Sequence, residues 1–199
     1  PTCRAEDEMG VRGMSEHSKI EWTDATWNVV SGCTKVSPGC LNCYIERTPP
    51  MRIAGRRFVG GKIPIQLHPE RLEAPLHWKK PRRIFVNSMS DLFHEDIRDD
   101  FIDKVFAVMA ICPQHTFQCL TKRPERMRDY LADADESPKQ GRWEQAAAEI
   151  TNSPCAAGLV DERRFPLENL WLGVSVEDQL RADERIPLLL QTPAPVRFL

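Results

Sequence analysis

The sequence lacks any apolar run close to the roughly 20 residues that a bilayer-crossing helix requires. A transmembrane helix is therefore not expected. Its opening stretch, "PTCRAEDEMGVRG", has no apolar h-region and does not read as a secretory leader. An excess of one charge is also missing. Lys and Arg number 27 against 29 Asp and Glu, a formal net charge of -2. That argues against a chain basic throughout, and any nucleic-acid contact would need a local patch. Finally, the cysteines are not paired in number. Seven cysteines without an export signal make a disulfide framework a poor reading and favour a reducing cytoplasm. Grouped thiols there bind metal or do chemistry.

Three of the seven are grouped. "SGCTKVSPGCLNCY", residues 31 to 44, is C-x6-C-x2-C followed by tyrosine, with Cys33, Cys40 and Cys43 and no fourth cysteine nearby. Three thiolates can hold three irons of a [4Fe–4S] cluster and leave the last iron open to an external ligand. S-adenosylmethionine suits that position, since its amino and carboxylate groups can chelate iron. Zinc is the competing reading, with His68, His77, His94 or Cys3 as fourth ligand. Three free thiols are the third. Cys112 and Cys119 sit in apolar stretches and read as small core residues.

The rest of the chain alternates. "TWNVV" reads as a strand leading into Cys33, "KIPIQL" as an extended piece and "HPERLEAPLHW" as a helix. "CYIERTPPMRIAG" reads as a short helix broken at Pro49 and Pro50. "RIFVN" is a strand, and "DDFIDKVFAVMAIC" is a helix that Asp99 or Asp100 can cap. "HTFQCLTKR" is a strand, "PERMRDYLADA" a helix, "NLWLGVSV" a strand, "EDQLRADERIPLLLQ" a helix and "PVRFL" a strand. Residues 133 to 169 read as an irregular insertion with one helix from about 143 to 150. Residues 1 to 17 read as a disordered or non-native extension, with Met14 a candidate start. Such alternation predicts an α/β fold of parallel strands joined by helical crossovers, either doubly wound or a partial (β/α) TIM-like barrel.

Each predicted strand hands over to polar residues at its C-terminal end. They are Cys33 after the first, Asn87, Ser88, Ser90 and Asp91 after the second, Thr121, Lys122 and Arg123 after the third, and Ser175, Glu177 and Asp178 after the fourth. Parallel strands point these ends to one rim, where ligands bind. Helix capping explains Asp91 or Asp178 taken singly, but the same position recurring after four strands favours one common site. "HWKKPRR", residues 77 to 83, is either a basic and aromatic patch for nucleic acid or a solvated loop. Trp22 and Trp27 read as packing residues.

"SKIEWTDATWNVVSGCTKVSPGCLNCY", "RIFVNSMSDLFHEDI", "HTFQCLTKRPERM" and "LWLGVSVEDQLRADERIPLLLQTPAPVRFL" together resemble the DUF5131-like phage Gp37/Gp68 family of phages, prophages and bacteria. That family looks like a divergent relative of radical S-adenosylmethionine enzymes. The resemblance implies a partial barrel with a [4Fe–4S] cluster on Cys33, Cys40 and Cys43. By position it implies Asn87, Ser88, Asp91, Ser175 and Glu177 around S-adenosylmethionine, and Lys122 against an anionic group. It implies an electron donor, and a nucleic acid or a separately encoded protein as partner. Radical enzymes usually carry C-x3-C-x2-C with an aromatic before the last cysteine. Here the first gap is six, and the aromatic, Tyr44, follows Cys43. Relatives continue past the equivalent of Leu199, so a C-terminally truncated and inactive chain is also an expectation.

Overall fold

The structure, a computed structural model, describes residues 18, 20–132, 137–161 and 165–199. The expected N-terminal extension lies outside the described residues. Five short strands form one parallel sheet: β1 (Ala25–Trp27), β4 (Arg83–Val86), β5 (Thr116–Thr121), β6 (Leu170–Val174) and β7 (Val196–Phe198). The order across the sheet is β1-β4-β5-β6-β7, which follows the chain. A doubly wound sheet reverses direction at a switch point, and this one does not. Successive right-handed crossovers in one direction carry their helices to one face.

The strands alternate accordingly. Ala25, Trp27, Ile84, Val86, Phe117, Cys119, Leu170, Leu172 and Val174 are buried in the main core. The crossover helix α3 (Asp99–Ile111) joins them through Phe101, Ile102, Val105 and Phe106. Thr26, Phe85, Gln118 and Trp171 alternate to the other face. There Trp22 packs on Phe85 with ring centroids 4.6 Å apart. Cys112 and Cys119 are buried, as the apolar context predicts. Trp27 is a core residue, whereas Trp22 is partly exposed.

Several local expectations are corrected. The run into Cys33 is not one strand. It breaks at Asn28 and resumes as β2 (Val30–Thr34), which pairs antiparallel with β3 (Lys62–Leu67) in a separate hairpin. Pro49 and Pro50 start helix α1 (Pro49–Ile53) rather than break one, because a first-turn residue needs no amide partner. "HPERLEAPLHW" yields only a 3-10 turn at Pro69–Arg71 and the one-turn α2 (Ala74–His77). Arg98, not an aspartate, occupies the N-cap of α3, and Asp99 and Asp100 lie in its first turn, where they oppose the helix dipole favourably.

The largest correction concerns the supposed irregular insertion. After α4 (Pro124–Ala132) it forms α5 (Ser137–Thr151), which contains the helix expected from about 143 to 150, and the further helix α6 (Cys155–Asp161). Trp143 anchors it. Its ring stacks on Phe106 at 5.2 Å, and its indole N–H donates to Asp103 Oδ1 at 3.2 Å and to the Tyr130 hydroxyl at 3.1 Å. Tyr130 in turn donates to Asp103 Oδ1 at 2.7 Å, and Arg142 donates to Oδ2 at 2.9 Å. A buried aspartate on α3 is thus satisfied by groups from two other helices, α4 and α5. Trp143→Ala is expected to lower the unfolding free energy by about 3–5 kcal/mol, measured by chemical denaturation. An unchanged midpoint would show that α5 does not belong to the core.

Candidate functional site

Because the sheet is parallel, its strand C-termini share one edge. Asn28 follows β1, Asn87 to Asp91 follow β4, Lys122 and Arg123 follow β5, and Ser175 to Glu177 follow β6. The structure therefore brings all the non-cysteine site residues expected from sequence to one rim. It also ties that rim to the cysteine segment.

Asp91 is the centre of the rim. It is 6% exposed. Its Oδ1 accepts from the Thr121 hydroxyl at 2.7 Å and the Phe93 amide at 3.0 Å, and its Oδ2 from the Lys122 amide at 3.0 Å and Arg123 Nη1 at 3.2 Å. Both oxygens are thus already shared between two donors. Arg123 reaches onward to Glu95 at 2.8 Å, to the Thr34 carbonyl at 3.2 Å and to Cys33 Sγ at 3.9 Å. Sequence reasoning placed Arg123 on the rim but not as the link between Asp91 and Cys33. Only a partner visible in three dimensions shows that.

Glu177 is the second link. Its Oε1 accepts from the Gly39 amide at 3.3 Å inside the cysteine loop, and its Oε2 from Arg185 at 3.0 Å. A Cβ at residue 39 would fall 2.8 Å from the Glu177 carboxyl carbon, so a side chain there would push the Glu177 carboxylate aside. Burial pushes the Glu177 carboxyl upward, but hydrogen bonds from Ser37 and Gly39, with Arg185 nearby, carry it below its ordinary value. Asp178 caps α7 (Gln179–Gln191) by accepting from the Arg181 amide, as the capping reading has it. Ser175 takes part through its backbone, whose carbonyl accepts from Arg185 at 2.7 Å and whose amide donates to the Thr121 carbonyl at 3.0 Å.

On the other side Tyr44 donates its hydroxyl to the Ser88 carbonyl, and the Gly32 amide donates to the Met89 carbonyl at 3.1 Å. Asn87 takes a left-handed φ of 59° and accepts from the Val30 amide at 3.1 Å. Asn28 accepts from the Ser88 hydroxyl and the Met89 amide, both at 3.0 Å. Asn28 was missed because the first strand was drawn through it. Ending the strand at Trp27 would have shown the same polar handover as elsewhere. Lys122 lines a cleft of about 730 Å³ between α4 and α7, together with Arg126 and Arg181 among others.

The cysteines lie on β2 and in the turns that connect it to β3. Cys33 is on β2, Cys40 closes a 3-10 turn at Pro38–Cys40, and Cys43 precedes another at Ile45–Arg47. Cys33 and Cys43 both pack against a small satellite cluster of Ile45, Met51, Ile63 and Met89. The donor set suits a thiolate-held cluster in kind. In arrangement it does not close round one, since no three His, Cys, Asp or Glu side chains group as a metal site among the described residues. His68 engages Ser31, His94 engages Thr34, and His77 is exposed on α2. Cys3 lies outside the described residues. The basic stretch before β4 is at the opposite end of the strands, where Arg82 lies over the Trp78 ring at 5.1 Å and Arg83 pairs with Asp24 at 3.2 Å.

A family model described as "Protein of unknown function (DUF5131)" matches residues 17–199. The chain belongs to the DUF5131 family. No curated protein and no solved structure matches this DUF5131 chain.

Two outcomes follow from the geometry. Asp91→Ala leaves the Arg123 guanidinium, only 10% exposed, with the exposed Glu95 as its remaining carboxylate partner, removes the acceptor of the Thr121 hydroxyl and two amides, and is expected to cost about 3–5 kcal/mol of stability. Denaturant unfolding measures it, and a loss of a few tenths would show that the pair is not structural. Burial, followed by the Asp91 carboxylate, pushes the Cys33 thiol up to about 11 against the pull of Arg123. Only the thiolate attacks alkylating reagents, and a raised value leaves less thiolate at any lower pH. Alkylation of Cys33 by iodoacetamide, followed by peptide mass spectrometry, should therefore be slow at neutral pH and climb until about 11. A plateau in the ordinary thiol range would contradict the burial.

Proposed function

We propose that this DUF5131 chain folds as part of a (β/α) barrel and holds a [4Fe–4S] cluster on Cys33, Cys40 and Cys43, in the manner of a radical S-adenosylmethionine enzyme. The observation that supports this reading most is the double tie between rim and cysteine segment. Arg123 joins Asp91 to Cys33, and Glu177 joins the end of β6 to Gly39. The sequential strand order supports the barrel, because a barrel is wound in one direction.

When bound, such a cluster supplies single electrons for cleaving the sulfonium of S-adenosylmethionine, and an electron donor must supply them. The chain's own residues have other tasks. Arg123 sets a positive charge beside Cys33, which favours its thiolate. Glu177 holds the Gly39 turn that carries Cys40. Asn87 and Ser88 hold the hairpin on the sheet, and Asp91 fixes Arg123. Lys122 is the rim cation offered to an anionic group of the substrate, for which a nucleotide or nucleic acid is the proposed class. Since the three thiols do not yet surround a common point, loading requires the turns that carry Cys40 and Cys43 to shift toward Cys33.

Protein purified without oxygen and reconstituted with iron and sulfide tests this. The expected result is about four irons per chain and the brown absorption of thiolate-bound iron, both lost in Cys33→Ala. One tightly held zinc without colour would replace the cluster by a zinc-stapled binding module for nucleic acid or protein. No metal of either kind would remove both.

A further inference from the structure

Ser31, His68 and Glu70 form a second constellation on the hairpin, outside the rim contacts. Ser31 Oγ lies 2.9 Å from His68 Nε2, and His68 Nδ1 lies 3.2 Å from Glu70 Oε1. Arg56 Nη1 donates to the same Ser31 oxygen at 2.6 Å. Ser31 is 4% exposed and His68 is 8% exposed, while the Glu70 side chain is 59% exposed.

These contacts fix the proton positions. Arginine only donates, so Arg56 uses a lone pair of Ser31 Oγ. Glu70 as a carboxylate only accepts, so Nδ1 of a neutral His68 carries the proton that faces it. Nε2 is then an acceptor, and the Ser31 hydroxyl proton must point to it. Burial, with Arg71 nearby, lowers the His68 imidazole and keeps it neutral, although Glu70 opposes this. A hydroxyl donating to a neutral imidazole, whose other nitrogen donates to a carboxylate, is the arrangement of an activated serine nucleophile.

The local backbone suits the role. Ser31 precedes Gly32, whose φ is 99°, at a register shift in the β2–β3 ladder. Bulges of this kind re-aim side chains beside active sites. The cover over Ser31 is Arg56, which also donates to Gln66 at 3.0 Å and to the Pro64 carbonyl. Its loop lies at the surface, with Gly55, Gly60 and Gly61 all at positive φ and open space at each Cβ position.

We propose that Ser31 is the nucleophile of a second site that acts on carboxylic esters, with His68 as general base and Glu70 as the residue that positions it. A shift of the Arg56 side chain off Ser31 Oγ admits the substrate and leaves the guanidinium beside its carbonyl oxygen. Ser31 Oγ bonds to the ester carbon as its proton passes to His68 Nε2, and the carbonyl electron pair moves to the oxygen beside the Arg56 guanidinium. Collapse breaks the bond to the alkoxide, which takes the proton from His68 and leaves an acyl-serine. A water then gives its proton to His68, attacks the acyl carbon and releases the acid, and the proton returns to Ser31. Esters rather than amides fit, because Arg56 is the one cation that touches Ser31 among the described residues and an alkoxide leaves more easily than an amide anion.

The site stands independently of any cluster. The test uses the full chain as purified, a fluorophosphonate probe with peptide mapping, and p-nitrophenyl acetate as ester. A single phosphonyl adduct on Ser31 is expected, together with an acylation burst that Ser31→Ala abolishes. His68→Gln should slow labelling by about 100-fold. Glu70→Gln, at an exposed position, should slow it with an unchanged melting temperature, and Glu70→Asp should restore part of the rate. That pair reads the relay even if His68→Gln does not fold. An unlabelled Ser31 in the folded chain, or labelling at the same rate in Glu70→Gln, would overturn the proposal and leave the constellation as a strut of the hairpin.

Discussion

The rim depends on the Asp91–Arg123 pair. Taking a carboxylate and a guanidinium out of water is costly, and their attraction compensates only when the remaining lone pairs and protons are satisfied. Here they are. Asp91 accepts from a hydroxyl, two amides and Arg123, and Arg123 goes on to Glu95, the Thr34 carbonyl and Cys33. The pair sits where the loop after β4, the end of β5 and the end of β2 meet. Three segments distant in sequence thus share one electrostatic knot, and the position of Cys33 relative to the sheet is a property of that knot.

The cysteine segment itself is held more lightly. Its apolar support is the satellite of Ile45, Met51, Ile63 and Met89, separate from the main core. A small cluster buries little apolar surface, and stability is not uniform across a fold. Its other restraints are single hydrogen bonds, such as Tyr44 to Ser88 and Gly39 to Glu177. A rigid rim beside a lightly held thiol segment is an arrangement in which a ligand can complete the site without disturbing the sheet.

Much of this was legible in sequence, and the parts that were not share a cause. The long periodic α3 and the apolar strands β4, β5 and β6 declare themselves, because burial on one face sets their pattern. Polar residues after each strand gave the rim. The break at Asn28 did not show, since the β-branched and aromatic residues around it outweigh one asparagine and its hydrogen-bond partners lie in the β4 loop. The helix expected from about 143 to 150 lies inside α5, but its full length and its place in the core did not show, because the stretch is largely polar and the partners of Trp143, Phe106 and Asp103, lie on α3, some 40 residues earlier. Ser31, His68 and Glu70 carry no motif spacing, and an antiparallel pairing brings them together.

Gly32 is where these constraints converge. Its φ of 99° is open to glycine at little cost, and a Cβ there would lie 2.1 Å from the Pro64 carbonyl oxygen. The residues on either side of it keep different company. Ser31 faces His68 and Arg56, while Cys33 faces Arg123 and the satellite cluster. In a regular strand residues two apart point the same way. The register shift between Ser31 and Cys33 loosens that rule. One hairpin strand therefore serves two chemically distinct neighbourhoods, and the side chain that would restore regularity is the one for which the backbone of β3 leaves no room.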